Sequence, residues 1–165
     1  MRNIVFVGFM GTGKTSVAGI LAKKLGREFI EVDELIEKKE GMPVRDIFEK
    51  KGELYFRDVE KKVIKEASEK QGVVISAGGG AIIDEENFGN LKKNSVIVCL
   101  KASPEVILER TKGNTCRPLL NVPDPKSEII KLLKKREQYY NKADHLIDTD
   151  RMNPEEAAEA IRKII

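Results

Sequence analysis

An octapeptide near the amino terminus, GFMGTGKT at residues 8–15, limits the folds open to this chain more than any other segment. It matches the pattern G-x-x-x-x-G-K-[ST], whose fixed positions here are Gly8, Gly13, Lys14 and Thr15. The glycines let the backbone bend so that successive N–H groups point at phosphate oxygens. An apolar run precedes the octapeptide and a stretch of helical period follows it, which is the context that this pattern requires. The segment therefore predicts a nucleotide-binding loop between a strand and a helix.

Short apolar runs bounded by turn residues recur along the chain, separated by longer segments of helical period. Nearly continuous β-branched runs are typical of strands buried on both faces, as in a parallel sheet covered by helices. We expect a three-layer α/β fold with a five-stranded parallel sheet flanked by helices. The predicted strands are 4–7, 29–32, 73–76, 96–100 and 145–147, and charged helices are predicted at 44–50 and 53–70.

Length and composition favour one domain. A chain of 165 residues can bury a core large enough to fold unaided, so we expect a single domain over residues 1–165.

A net charge of +3 without a basic stripe does not indicate nucleic acid binding. No window approaches the roughly 18 apolar residues that cross a bilayer. We expect a cytoplasmic monomer, in which Cys99 and Cys116 form neither a metal site nor a disulfide framework because no CxxC or Cys/His cluster is present.

Two side chains of the loop have separate predicted tasks. Lys14 would reach the β- and γ-phosphates of the nucleotide as a point charge, and it is a predicted catalytic residue. The Thr15 hydroxyl would ligate Mg²⁺, which carries much of the charge neutralisation. The alternative is a glycine turn that leaves Lys14 merely solvated. The nucleotide-binding residues predicted in the loop are Gly11, Thr12, Gly13, Lys14, Thr15 and Ser16.

Two further patterns bear on the class of nucleotide-binding protein. Motors and GTPase switches place an Asp at the end of a later apolar strand, but the runs at 73–76 and 96–100 are followed by Ala77 and Lys101. Residues 141–144 spell NKAD, which matches the NKxD with which GTPases recognise guanine. They follow a charged helical segment, and no D-x-x-G triplet occurs in the chain. We interpret NKAD as chance similarity, and the missing switch motifs argue against a nucleotide-dependent switch or binding module that transfers no phosphoryl group.

Glu31 and Asp33, in the segment EVDELIE, follow the second predicted strand two residues apart. Their side chains would leave the same face toward the region beyond the strand carboxyl ends, where open α/β sheets bind ligands. One carboxylate would support Mg²⁺ through water, and the other would accept a hydrogen bond from an acceptor hydroxyl. The alternative is an acidic pair that caps the next helix.

A second group of candidate residues lies farther along the chain. The segment GELYFRDVE places Arg57 and Glu60 at i, i+3 spacing, where the glutamate can hold the guanidinium in position. The alternative is an ion pair on the surface. Three adjacent glycines at 78–80 follow the third predicted strand, and glycines at that location are typical of backbone that approaches a ligand closely. We expect backbone N–H groups to be presented to a ligand there.

This set of motifs resembles the shikimate kinase family, and the resemblance covers nearly the whole chain. It implies the P-loop kinase fold of the nucleoside-monophosphate-kinase type. It also implies transfer of the γ-phosphoryl group of ATP, with Mg²⁺, to the 3-hydroxyl of shikimate, a step toward aromatic amino acids. Besides the phosphate-binding loop, the motifs that carry the resemblance are EVD at 31–33, GE..FR..E at 52–60, GGG at 78–80, RPLL at 117–120, REQYY at 136–140 and IDT at 147–149.

The resemblance implies a role for each matching residue on the acceptor side. Asp33 would contact the hydroxyls of shikimate and act as a catalytic residue. Arg57 and Arg136 would bind its carboxylate, which suits the forked geometry of a guanidinium. Gly79 and Gly80 would contact shikimate through the backbone. The expected apolar walls of the pocket are Phe48, Phe56, Pro118 and Leu119.

The resemblance also implies a substrate-binding insertion over about residues 33–61 and a lid over about residues 112–124. Arg117, in the lid, would reach the ATP phosphates as a catalytic residue, and Arg110 would lie near the nucleotide. Closure of the lid would exclude water, so that the phosphoryl group is not lost to hydrolysis. The adenine would lie near residues 151–154, where no motif is present.

One position departs from the family pattern, which usually has Asp where this chain has Glu31. The extra methylene changes how the carboxylate can reach Mg²⁺ or its water ligands. Gluconate kinases and nucleoside monophosphate kinases have the same fold, so gluconate or a nucleoside monophosphate is an alternative acceptor to shikimate. A nucleotide-dependent switch that transfers no phosphoryl group is a further alternative. The glycine triplet together with Arg57 favours shikimate.

Overall fold

The computed structural model describes residues 1–113 and 118–165. Its strands are β1 (Asn3–Gly8), β2 (Phe29–Glu31), β3 (Val74–Ser76), β4 (Ser95–Lys101) and β5 (His145–Asp148). They form one sheet in the order β2-β3-β1-β4-β5, and every neighbouring pair is parallel. The predicted five-stranded parallel sheet is confirmed.

Helices cover both faces of this sheet. In the described parts of the chain they are α1 (Lys14–Leu25), α2 (Val32–Glu40), α3 (Val44–Glu69), α4 (Glu85–Lys92), α5 (Pro104–Thr111), α6 (Pro125–Tyr140) and α7 (Pro154–Arg162), with short 3₁₀ helices at Ala81–Ile83 and Pro118–Leu120. Helices α1 and α7 pack on one face, and α2 to α6 pack on the other. None of the helices described here is both long enough and apolar enough to cross a membrane.

Strand β1 shows why both faces need cover. Every residue of the strand is buried. Because side chains alternate along a strand, Val5 and Val7 join the core under α2 to α6, whereas Ile4 and Phe6 join the core under α1 and α7. A central strand without an exposed face therefore carries a continuous apolar run, which is the pattern that predicts such a strand.

The end of β2 and the start of α2 differ from the predicted boundaries. Strand β2 ends at Glu31 and α2 begins with the next residue, so Asp33 lies in the first turn of a helix and not at the end of a strand. Glu31 is the N-cap of α2, but its side chain makes no capping hydrogen bond. Farther on, the predicted break between two helices is present inside α3 at Gly52, whose φ of 84° and ψ of 167° are not helical.

The carboxyl ends of the strands meet at one edge of the sheet. Phe6 is in register with Ser76, and Ser76 is in register with Glu31. The phosphate-binding loop, the glycine triplet and the start of α2 therefore leave three neighbouring strands at the same level. This edge is where open α/β sheets bind ligands.

The NKAD segment, residues 141–144, joins α6 to β5. Asp144 immediately precedes β5, and its carboxylate accepts a hydrogen bond from the N–H of Ile97 at 2.8 Å. The same carboxylate forms an ion pair with Lys92. Both oxygens of the Asp144 carboxylate are therefore engaged by β4 and α4 and not available to read a base, which agrees with the interpretation of NKAD as chance similarity.

Candidate active site

The loop after β1 has a backbone that only glycine fits. Gly8 has a φ of 134°, and a Cβ at this position would lie 2.3 Å from the carbonyl oxygen of Leu100. Gly13 is the N-cap of α1, and no acidic side chain occupies the first turn of that helix. The positive end of α1 therefore favours a bound anion. The Nζ atom of Lys14 donates to the carbonyl of Phe9 at 3.0 Å, so the lysine is folded back over the loop.

The phosphate cleft, with a volume of about 420 Å³, opens beside this loop. Its lining includes most of the residues predicted to bind the nucleotide or the metal: Gly11, Gly13, Lys14, Thr15, Ser16, Glu31 and Arg110. Thr12 is not among the lining residues. It is 1% exposed, and its hydroxyl donates to the carbonyl of Phe9 at 2.7 Å. Its side chain stabilises the loop, and Thr12 lines a smaller adjoining cavity in place of the phosphate cleft.

Thr15 and Glu31 form the candidate Mg²⁺ site. The Thr15 hydroxyl donates to Oε2 of Glu31 at 2.7 Å, which leaves the lone pairs of the hydroxyl oxygen for a cation. Burial raises the pKa of Glu31, and the hydrogen bond from Thr15 opposes this shift. Within the described residues, no cluster of three or more His, Cys, Asp or Glu side chains could hold a metal by itself. The donor set fits Mg²⁺, which binds one or two protein oxygens and takes further ligands from water and phosphate.

A second cavity, of about 200 Å³, adjoins the phosphate cleft. Arg110 lines both, and its guanidinium donates to the carbonyl oxygens of Gly11 at 3.3 Å and Thr149 at 2.8 Å. The Thr149 hydroxyl donates to the carbonyl of Thr12 at 3.1 Å. Residues 152–154 form much of the remaining wall. The family resemblance predicts the adenine near residues 151–154, and three of these four residues line this cavity. Thr149 was marked in the sequence only as part of the IDT motif.

The acceptor pocket, of about 240 Å³, lies beside the phosphate cleft and shares Asp33, Gly78 and Gly79 with it. From the residues predicted for the acceptor, it is lined by Asp33, Arg57, Gly79, Gly80, Arg136, Phe48, Phe56 and Leu119. Sequence reasoning missed Met10, Glu37 and Val44, which also line it. Glu37 accepts a hydrogen bond from the N–H of Val44 at 2.9 Å, so this pair closes the turn between α2 and α3.

Arg57 is fixed on three sides. Its Nη1 donates to Oε1 of Glu60 at 2.8 Å, and its Nη2 donates to Oε1 of Glu53 at 3.3 Å. The guanidinium carbon lies 5.2 Å from the centroid of the Phe56 ring. Glu60 is 1% exposed, which rules out an ion pair on the surface. Burial raises the pKa of Glu60, and the charge of Arg57 opposes this shift.

Arg136 enters the same pocket from α6. It is 5% exposed, and its guanidinium carbon lies 5.5 Å from the centroid of the Phe9 ring. Its Nη1 atom is buried without a hydrogen-bond partner among the described residues. A Cβ on Gly79 would lie 3.4 Å from this nitrogen. A buried cationic nitrogen that lacks a partner is costly, and an anionic ligand would satisfy it.

The predicted lid is described only in part. Arg117 lies outside the described residues. Pro118–Leu120 form a 3₁₀ helix, and Leu119 reaches the acceptor pocket. Leu119 therefore brings one described part of the predicted lid next to the acceptor pocket.

Comparison with known proteins identifies the family. The family model described as shikimate kinase matches residues 10–165. This chain belongs to the shikimate kinase family. A shikimate kinase of Thermodesulfovibrio yellowstonii is 53% identical over 163 residues, which cover 99% of this chain and 94% of that protein. Another, from Caldanaerobacter subterraneus, is 48% identical over 161 residues, 98% of this chain and 94% of that protein.

Solved structures of shikimate kinases share the fold. The enzyme of Acinetobacter baumannii, in complex with shikimate, matches with a TM-score of 0.97 and 39% identity, over 99% of this chain and 92% of that one. The enzyme of Aquifex aeolicus matches with a TM-score of 0.83 and 40% identity, over 98% of this chain and 94% of that one. The predicted P-loop kinase fold is thus confirmed. Shikimate kinases are enzymes that use ATP with Mg²⁺, which agrees with the phosphate cleft and the Thr15–Glu31 pair.

Proposed function

We propose that this protein transfers the γ-phosphoryl group of ATP to the 3-hydroxyl of shikimate and releases shikimate 3-phosphate and ADP. The observation that carries the proposal is the shared wall between two sites. The phosphate cleft and the acceptor pocket have Asp33, Gly78 and Gly79 in common, so ligands in the two sites would meet there. Holding two reactants in contact supplies much of the rate gain in phosphoryl transfer. The shikimate bound to the related enzyme of A. baumannii supports the choice of acceptor.

The acceptor pocket has the groups that a hydroxylated ring carboxylate needs. Arg57 and Arg136 would bind the carboxylate, and this contact would give the buried Nη1 of Arg136 a partner. Gly79 and Gly80 would approach the ring closely because neither has a side chain. Phe56 and the other apolar walls would pack against the ring carbons.

Asp33 is placed to act on the hydroxyl. It lies on the shared wall, in the first turn of α2, and borders both sites. Its carboxylate would accept a hydrogen bond from the 3-hydroxyl, orient the oxygen toward the γ-phosphorus and take up the proton as the bond forms.

The loop after β1 would hold the nucleotide. Gly11, Gly13 and Ser16 would present backbone N–H groups to the phosphates, and Lys14 would leave the carbonyl of Phe9 to contact the β- and γ-phosphates. Thr15 would ligate Mg²⁺, and Glu31 would orient the Thr15 hydroxyl. When bound, Mg²⁺ neutralises charge on the β- and γ-phosphates.

Arg110 and the cavity next to it would hold the remainder of the nucleotide. Arg110 would lie near the phosphates, and the cavity beside residues 152–154 would receive the adenine. Arg117, in a lid over residues 112–124, would reach the phosphates.

Residues 33–61 would serve as the substrate-binding insertion of a single domain over residues 1–165. A cytoplasmic location and a monomeric state stay predictions from the sequence.

An assay of ADP release coupled to NADH oxidation tests the proposal. The assay compares shikimate, gluconate and nucleoside monophosphates as acceptors with ATP and Mg²⁺. We expect turnover with shikimate alone, and phosphorus NMR should show a new phosphate monoester on the 3-oxygen. Turnover with gluconate or a nucleotide in place of shikimate would contradict the acceptor assignment. Absence of turnover with all three would favour a nucleotide-binding switch.

A further inference from the structure

The two carboxylates that hold Arg57 differ in burial and in contact length. The Glu60 side chain is 1% exposed and lies 2.8 Å from Nη1, whereas the Glu53 side chain is 52% exposed and lies 3.3 Å from Nη2. Hydrogen bonds between a guanidinium and a carboxylate are usually about 2.7–2.9 Å long. Exposed ion pairs contribute little to stability. Glu60 is therefore the fixed partner of Arg57, and Glu53 is the exchangeable one.

Glu53 contacts the nitrogen that a ligand would need. Nη1 is committed to the buried carboxylate of Glu60. Nη2 is the nitrogen nearest to Gly80, since a Cβ at Gly80 would lie 2.6 Å from it, and Gly80 lines the acceptor pocket. A carboxylate that enters the pocket therefore meets Nη2 with the negative charge of Glu53 already beside it. The two carboxylates repel each other, and they compete for the N–H groups of this nitrogen.

The backbone lets Glu53 leave Arg57 without unwinding a helix. Gly52 has a φ of 84° and a ψ of 167°, so the second helical part of α3 begins at Glu53. Glu53 lines a neighbouring cavity of about 490 Å³, which shares Arg57 with the acceptor pocket and is also lined by Lys135. This cavity offers a displaced carboxylate both space and a cation.

We propose that Glu53 is a built-in competitor for Arg57. It lowers the affinity of the pocket for every ligand that presents a carboxylate to Arg57, the phosphorylated product included, and so favours product release. It has no such effect on a neutral ligand of the same shape. This inference rests on the proposed binding of the acceptor carboxylate by Arg57.

The test compares Glu53→Gln, which removes the charge and keeps the size, with the control Glu49→Gln. Glu49 is an exposed residue of α3 that pairs with Arg45 at 3.0 Å, and it lines neither cavity. Calorimetry on ADP-saturated protein measures Kd for three ligands: shikimate, cyclohexene-1-carboxylate and methyl shikimate. In Glu53→Gln we expect Kd for the two carboxylates to fall about two- to fivefold, the range for loss of an exposed charge contact. Kd for the neutral ester should stay at the wild-type value, and Glu49→Gln should match wild type for all three.

Two results would overturn the proposal. A Kd for the carboxylates that rises or does not change in Glu53→Gln would show that Glu53 positions Arg57 or has no effect on it. An equal gain for the neutral ester would show a general change in the pocket. The proposed function is decided separately, by turnover of shikimate in the wild-type protein. If that turnover is absent, the comparison with cyclohexene-1-carboxylate still decides the role of Glu53.

Discussion

The phenolic hydroxyl of Tyr140 donates a hydrogen bond to the backbone carbonyl of Gly79 at 2.7 Å. Tyr140 is the last residue of α6, and Arg136 lies one turn earlier on the same helix. The same glycine lies against the loop after β1, since a Cβ on Gly79 would lie 3.2 Å from the carbonyl oxygen of Gly8. One helix therefore carries both a cation of the acceptor pocket and the hydroxyl that fixes the wall between the two sites.

Tyr140→Phe should loosen that wall. The substitution removes the donor to Gly79 and keeps the ring in the core. We expect a loss of about 1 kcal/mol in the free energy of unfolding, the usual net contribution of one hydrogen bond. We also expect a several-fold rise in KM for shikimate with little change in KM for ATP. The control is Tyr139→Phe, which removes a hydroxyl from the preceding, half-buried position of α6. Equal effects of the two substitutions on KM would contradict the role given to the Tyr140 hydrogen bond.

The burial of Tyr140 should make the free energy of unfolding depend on pH in the alkaline range. Burial raises the pKa of Tyr140 to about 12. In the unfolded chain a tyrosine ionises near pH 10. Between these values the unfolded state releases a proton and the folded state retains it, so stability is complete below about pH 10 and falls as the pH rises toward 12. The loss approaches about 1.4 kcal/mol per pH unit in this window. Urea unfolding at pH 9, 10 and 11 should show a shallower decline in Tyr140→Phe than in wild type, and equal slopes would count against the raised pKa.

Gly80→Ala tests the packing of Arg57. The added Cβ would lie 2.6 Å from Nη2 and 3.0 Å from Cζ of Arg57, so the guanidinium must move. The backbone of Gly80, with φ −96° and ψ −7°, accepts alanine, so the effect arises at the arginine. We expect KM for shikimate to rise at least about tenfold, as for a disrupted charge pair, with KM for ATP little changed. The control is Gly89→Ala in α4, where an added Cβ has nothing within 4 Å. An unchanged KM in Gly80→Ala would argue against the contact of Arg57 with the acceptor.

The sequence could predict those parts of the site that depend on local backbone geometry. The loop after β1 was predictable because Gly8 and Gly13 have backbone angles that other residues avoid. The break at Gly52 was predictable for the same reason. The start of α2 was not, because β2 has three residues and an apolar residue fits either a strand end or a helix start. Asp33 was therefore placed at the correct edge of the sheet but in the wrong element.

The sequence could not predict contacts between residues that lie far apart in the chain. Tyr140 and Gly79 are 61 positions apart, and Thr149 and Thr12 are 137 positions apart. Neither pair has a fixed spacing or a complementary charge that would mark it. The position of Met10 in the wall of the acceptor pocket could not be predicted either, because an apolar residue that lines a pocket has the same sequence pattern as one in the core.

Cys99 should be inert in the folded protein. It lies in β4, is 0% exposed, and burial raises its pKa to about 11. Only about one part in a thousand of such a thiol is ionised at pH 8. The chain has two cysteines, so the Cys116→Ser variant isolates Cys99. In that variant we expect no reaction with Ellman's reagent before unfolding and one thiol per chain afterwards. Rapid labelling of the folded variant would show that this part of the sheet opens.

Asp33→Asn tests the chemical step itself. The amide keeps the shape of the side chain and its place in α2 but cannot take up a proton from the acceptor hydroxyl. Because the proposed partner of Asp33 is the acceptor hydroxyl, and the loop after β1 holds the nucleotide phosphates, the loss should appear in turnover and not in the binding of nucleotide. We expect kcat to fall at least about 100-fold with KM for ATP largely retained. Asp58→Asn, an exposed residue of α3 that lines neither site, is the matched control and should keep wild-type kcat. Near-normal turnover in Asp33→Asn would remove Asp33 from the mechanism and leave positioning by Lys14, Arg57 and Arg136 as the source of catalysis.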